Sequence, residues 1–291
     1  MNKLPHQTGF TLIELVIIIT LVTILASLGA GIILRPFQAF QLQKQRASLT
    51  DIADNALTRM SREIRSALPN SLRVRTIGAR TAVEFLRISQ GGYYRASKEA
   101  DGSGEPLVNG SAGTFDVLHA LRLPIDTGSA GQNNCLNGNA DCLVIYNTGS
   151  NVGGYNAYAG DNIATITAVD TVNQRLSYDN SGTYRFPFPI PPSRQQRFYI
   201  VDTPVSFVCD TTTGQLTWYD NYSIQSAQPV TQAQFGTSAA LLADNITQCG
   251  FIYNTRSGNR HSLLTLQISV TEPETLETVT LQYQVHVSNV P

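Results

Sequence analysis

The sequence predicts an α+β protein: one long N-terminal α-helix, apolar in its first half and amphipathic in its second, packed on an antiparallel β-rich globular head. Three observations predict it. From Leu15 to Leu34 about 20 residues pass without an Asp, Glu, Lys or Arg, enough to cross ~30 Å of hydrocarbon as a helix. From Leu42 to Leu68 apolar residues recur at three- and four-residue steps, the mark of one buried helix face. After Pro69 the period drops to two, with Thr, Val, Ile, Tyr and Phe prominent.

The first residues set the context for the helix. Met1 to Gly9 holds Lys3 and His6 and no apolar core. A secretory signal peptide has its apolar stretch before the cut and loses it; here the apolar stretch comes after and stays. Glu14 is the one charge near the start of that stretch. A carboxylate in hydrocarbon costs a few kcal/mol, so it marks function by default. The bland alternative is a signal anchor whose Glu14 reaches back to the membrane surface. Charge count alone does not orient the span: Lys3 and the amino terminus precede it, while Arg35, Lys44 and Arg46 follow.

The run Thr8-Gly9-Phe10-Thr11-Leu12-Ile13-Glu14-Leu15 resembles the cleavage and methylation signature of type IV prepilins, G-F-T-L-x-E. The resemblance implies a leader at 1–9, cut after Gly9 by a prepilin peptidase, and N-methylation of Phe10. It implies a single-pass subunit of the bacterial inner membrane with a periplasmic head, later drawn by the assembly platform into an extracellular pilus beside other major and minor pilins. Glu14 then acts in assembly, its carboxylate pairing with a neighbouring subunit's ammonium. The organisation follows: 10–34 as the transmembrane half of the helix, 35–68 as the amphipathic half, and 69–291 as a type IV pilin-like head. The cleavage motif overrules the charge count for orientation.

Along the helix, Gly29, Gly31 and Pro36 are expected to bend or loosen it. Arg59 and Glu63 stand at i,i+4, and Pro69 closes it after Leu68. Strands are expected at Ala82–Ile88, Phe115–Leu121, Leu143–Tyr146, Ile163–Val169, Arg175–Tyr178, Arg197–Val201, Val205–Cys209, Leu216–Tyr219, Gly250–Tyr253, Leu263–Val270 and Val279–Val287. Gly214 marks one hairpin, and Glu272-Pro273-Glu274 another. The proline-rich stretch at 186–193 is a candidate divider between two lobes of the head.

The formal net charge is −1, with 14% charged residues, so the balance favours neither a nucleic-acid nor an acidic partner. The four cysteines are Cys135, Cys142, Cys209 and Cys249. None forms C-x-x-C and no His stands at ligand spacing, so no metal is expected. An even count beyond a membrane span fits disulfides in an oxidising compartment. Three pairings are open; the short Asn/Gly-rich loop favours Cys135–Cys142, which leaves Cys209–Cys249.

Further stretches resemble minor prepilins of the mannose-sensitive haemagglutinin (MSHA) pilus system, MshO type. They are Arg59–Ser71, Val83-Glu84-Phe85-Leu86, Tyr94-Arg95-Ala96, Thr114–Leu118, Ala157–Asn162 and Gln284–Pro291. The loop with Cys135 and Cys142 has no placed counterpart. The resemblance implies a minor pilin that primes assembly or sits at the filament tip. The alternatives are a minor pseudopilin of a type II secretion machine and a membrane-tethered enzymatic or ligand-binding head. No catalytic motif, P-loop or EF-hand is present, so neither an enzyme nor a cofactor is expected. Asp101–Glu105 reads as a turn and not a calcium loop. His119 and His286 read as half-buried sheet residues, and His261 as a loop residue. Arg59, Arg62, Arg65, Arg73, Arg75, Arg80 and Arg87 form a basic cluster whose use on DNA is weighed against a solvated face.

Overall fold

In the computed structural model the described residues are 9–108, 112–132, 134–149, 155–179, 195–254 and 261–290; at 28–35, 37–38 and 261 the backbone alone is described. The helix α1 spans Leu12–Ile64 and runs unbroken through Pro36. The chain divides into two compact units, 1–49 and 50–291. In the first unit every large apolar side chain from Leu12 to Leu25 is exposed. Among the described residues no helix is long and apolar enough to cross a membrane.

The second unit holds the end of α1 and twelve strands. The strands are β1 (Arg73–Ile77), β2 (Arg80–Tyr93), β3 (Ala112–Asp116), β4 (Cys142–Val144), β5 (Ile163–Asp170), β6 (Arg175–Asp179), β7 (Arg197–Asp210), β8 (Gln215–Tyr219), β9 (Ala239–Ala243), β10 (Ile246–Asn254), β11 (His261–Thr271) and β12 (Thr278–Ser288). Nine of them form one sheet, ordered β1-β2-β7-β4-β5-β6-β3 with β8 and β9 branching from β7; β10-β11-β12 form a second sheet. All described pairings are antiparallel.

The helix end and the large sheet meet through one sheet face. Ala53, Ala56, Leu57, Met60 and Ile64 are buried at three- and four-residue steps. The Arg59 guanidinium lies over the Trp218 ring, 4.8 Å from its centroid. Trp218 stands opposite Phe207, and Phe207 opposite Val83. Residues directly opposite share a face, so Val83, Phe85, Phe207 and Trp218 look toward the helix. The Phe85 and Phe207 rings pack at 6.4 Å and are fully buried; each such side chain contributes about 1.5–3 kcal/mol. The small sheet also reaches α1, because the Tyr283 hydroxyl donates to the Asp54 carboxylate.

The other face of the large sheet is covered too. Ala82 and Val208 lie under Tyr219, Tyr222, Val230 and Phe235. Leu86 and Val201 lie under Cys135, Ala157 and Tyr158. A third cluster gathers around Phe115, with Tyr94, Tyr178 and Phe198 at ring distances of 5.6–6.4 Å.

Several expectations need correction. The helix stops at Ile64, not Leu68. The Leu68 N–H donates to the Leu86 carbonyl and the Ile88 N–H to the Ser66 carbonyl, both at 2.8 Å; pairing to β2 takes the backbone groups that another helical turn needs. Asn70 turns the exit with φ +58° and its amide donates to Asn147 O and Asn289 O. Arg197–Val201 and Val205–Cys209 are one strand, β7. Pro204 sits where β7's outer neighbour changes from β4, opposite residues 199–201, to β8, opposite residues 206–210, so its missing N–H breaks no ladder there. β2 continues past Ile88 to Tyr93, β3 ends at Asp116, and β4 ends at Val144. β1 and β9 were not expected. The candidate lobe divider at 186–193 lies outside the described residues.

Candidate processing and assembly site

Gly9 and Phe10 lie in an exposed, irregular segment just before α1. A Cβ added at Gly9 would meet nothing within 4 Å. The fold therefore makes no demand for glycine here, and any demand comes from outside the chain. Phe10 is 74% exposed. Thr11 caps the helix: its Oγ1 accepts from the Glu14 N–H at 3.3 Å, and its carbonyl accepts from the Leu15 N–H at 3.2 Å. Thr11-x-x-Glu14 has the spacing of a capping box, a signal present in the sequence and missed there. Glu14 sits in the first turn, where the helix dipole favours a negative charge, and it is exposed.

The polar residues of the apolar stretch are satisfied from within. Thr20, Thr23 and Ser27 donate their hydroxyls to the carbonyls of Ile17, Ile19 and Ile24 at 2.9, 2.6 and 2.8 Å. Such back-bonding hides a hydroxyl from an apolar medium.

In the body the disulfides are Cys135–Cys142 and Cys209–Cys249. The second joins β7 of the large sheet to β10 of the small one. The first pins the loop before β4 to its first residue.

The arginine cluster is largely spent inside the body. Arg73 meets Glu84 at 2.6 Å, Arg80 meets Asp210 at 2.7 Å, and Arg87 grips Asp202 with two nitrogens. Arg75 donates to the Gln228 carbonyl, and Arg59 covers Trp218. Arg62 and Arg65 are exposed. Glu63 faces Arg87 at 4.0 Å. Five of the seven arginines thus have internal partners.

Two carboxylates are perturbed by burial. Glu84 on β2 is fully buried. Desolvation pushes it up to about 7, against the downward pull of Arg73 and the Tyr222 hydroxyl. Asp141 is pushed up to about 6 by burial, with Asp202 and Asp126 adding repulsion and the Asp126 N–H opposing it. Asp141 lines an open polar cleft of ≈ 420 Å³ with Asp126, Asp202, Asp220 and Arg87. Sequence reading missed both groups, because their burial depends on distant chain, Tyr222 over Glu84 and Asp202 beside Asp141.

The minor candidates resolve plainly. The Asp101 carboxylate accepts from the N–H and hydroxyl of Ser103, which makes a turn. Among the described residues no group of His, Cys, Asp and Glu could hold a metal ion. His119 lies beyond β3 in a bend, not in a strand, with its ring 5.9 Å from Phe198. A Cβ at Gly92 would come within 1.7 Å of the His119 ring, so any side chain there would have to displace that ring. His286 is exposed on β12, not half-buried, and His261 opens β11 and is not in a loop.

Residues 4–30 match the family model described as the prokaryotic N-terminal methylation motif. No curated protein and no solved structure matches the chain. The matched span contains Gly9, Phe10, Thr11 and Glu14, and at its N-terminus the chain is type IV prepilin-like, a pilin or pseudopilin-like protein.

Proposed function

We propose that the chain is a minor pilin of a type IV, MSHA-like pilus, with a structural and not an enzymatic role. In this reading prepilin peptidase cuts after Gly9 and Phe10 is methylated. Residues 10–34 hold the subunit in the inner membrane as its single span, with residues 69–291 as the periplasmic head, until the assembly platform moves it into the filament. The observation that carries the reading is the N-terminal constellation. An exposed Gly-Phe bond free of fold constraints precedes a capped helix with Glu14 in its first turn and an exposed apolar surface. Eleven exposed apolar side chains, from Leu12 to Leu25, call for an apolar environment, and a bilayer followed by a filament core supplies one. Glu14 presents an exposed carboxylate to a neighbour's ammonium, the pairing that a charge in hydrocarbon requires.

The finer assignment, to the pilus and its tip, rests on the resemblance of the head and on its size. A head of ~220 residues is bulky for a closely spaced lattice and is tolerated where one side has no neighbour. Deletion tests the pilus assignment: surface pili should fall in number while secreted enzymes are unchanged. The reverse result would assign the chain to a type II secretion machine. Immunogold label should gather at filament ends; even label along the shaft would remove the tip placement.

A further inference from the structure

Between β8 and β9 the chain crosses the large sheet on the face away from α1, with only a short 3-10 turn, Gln232–Gln234, to order it. It is held by side chains from the sheet. Arg73 donates to the carbonyls of Ser226 and Gln225, both at 2.7 Å. Arg75 donates to the Gln228 carbonyl at 2.8 Å. The Asn221 N–H donates to Thr203 Oγ1, and the Ile224 N–H to the Leu136 carbonyl, at 2.8 Å each. Beneath the crossing lies Glu84. Its Oε2 accepts from Arg73 Nε at 2.6 Å, and its Oε1 accepts from the Tyr222 hydroxyl at 3.0 Å. The Ser206 hydroxyl lies 2.7 Å from that of Tyr222, and the Tyr158 ring covers the Arg73 guanidinium at 3.6 Å.

Arg73 is therefore shared. One nitrogen serves the buried carboxylate, and two serve the crossing chain. Tyr222, itself part of that chain, closes the carboxylate off from water. We propose that residues 220–235 form a proton-gated strap, closed over the sheet while Glu84 is protonated and opening more often once Glu84 is charged.

The hydrogen bonds admit both states of the closed form. A protonated Glu84 donates to Tyr222, which turns its own hydroxyl to Ser206, and Oε2 still accepts from Arg73. Charge is the costly state, because the closed strap removes water and leaves one shared guanidinium and the Tyr222 hydroxyl as compensation. Opening restores water to the carboxylate, so opening is linked to loss of the proton. The upward displacement of Glu84 has burial as its largest cause, in the same sense. The groups facing Glu84 are Arg73 from β1, Tyr222 from the strap, Ser206 from β7 through Tyr222, and Tyr158 over Arg73. Opening would uncover Tyr219, Tyr222, Val230 and Phe235.

Amide hydrogen exchange on the full chain in detergent micelles tests this, with rates corrected for intrinsic pH dependence. Protection at Asn221 and Ile224 should fall on the order of a hundredfold from about pH 5 to about pH 8, while β11 amides keep theirs. Glu84→Gln, neutral at every pH, should flatten the strap's dependence. Constant strap protection in the native chain would overturn the proposal, as would an equal fall in Glu84→Gln. If that variant does not fold, the contrast between strap and β11 amides in the native chain still decides.

Discussion

The helix before Thr50 and the body after it solve the same problem in opposite ways. Both are rich in apolar residues. In the body, apolar faces meet one another: Phe85 and Phe207 are fully buried, and each face of the large sheet is covered. From Leu12 to Leu25 the large apolar side chains are exposed, yet the hydroxyls among them are bonded inward.

The sharpest way to separate the two regions is at Gly9. Gly9→Val adds side-chain atoms where the fold has open space, so the body's melting temperature should not move. Processing should stop altogether, because the peptidase needs close backbone approach. Immunoblotting would show only the longer precursor; a mature-sized band would contradict the peptidase reading.

Inside the body, the largest effect should come from the bridge between the sheets. Replacing Cys209 and Cys249 together by serine should cost ~3–4 kcal/mol, since a sequence separation of 40 closes a long loop. Replacing Cys135 and Cys142, separated by 7, should cost less. Denaturant titration of both pairs gives the order, and a reversed order would show that loop entropy does not govern it.

A smaller effect should appear in the pH profile. Glu84's folded value, about 7, exceeds its ordinary 4.5. Between those values the unfolded chain has released a proton that the folded chain still holds, so stability falls as pH rises through the window, by at most about 3 kcal/mol. Asp210 works in the opposite sense. Burial would raise it, but Arg80 and the Thr212 N–H hold it below 3.8, so its contribution is lost as pH falls through the acid range. Maximum stability should therefore lie on the acid side of neutrality. Glu84→Gln should abolish the decline between 4.5 and 7; an unchanged slope would assign it to another group such as Asp141.

What the sequence revealed divides along the same line. The N-terminal constellation is local, with Gly9, Phe10, Thr11 and Glu14 within one turn and its approach, and local patterns can be read. Alternating strands such as β11 and β12 were legible for the same reason. β9 was not, because Ala-Ala-Leu-Leu-Ala has no period-two contrast. β1 was hidden because Arg73 and Arg75 read as a charged surface, while their actual partners lie at 84, 225, 226 and 228. The helix end moved from Leu68 to Ile64 because of hydrogen bonds to Leu86 and Ile88, which no helical propensity encodes. Burial of Glu84 depends on Tyr222, at a sequence separation of 138, and no motif announces it.

The N-terminal segment is proposed to be a processed pilin-type helix. Mass spectrometry of the mature N-terminus, on protein purified from cell envelopes, tests it most directly. The mature chain should begin at Phe10 and carry one added methyl group on its amino nitrogen. A chain that retains Met1–Gly9, or one cut beyond the apolar stretch, would contradict it.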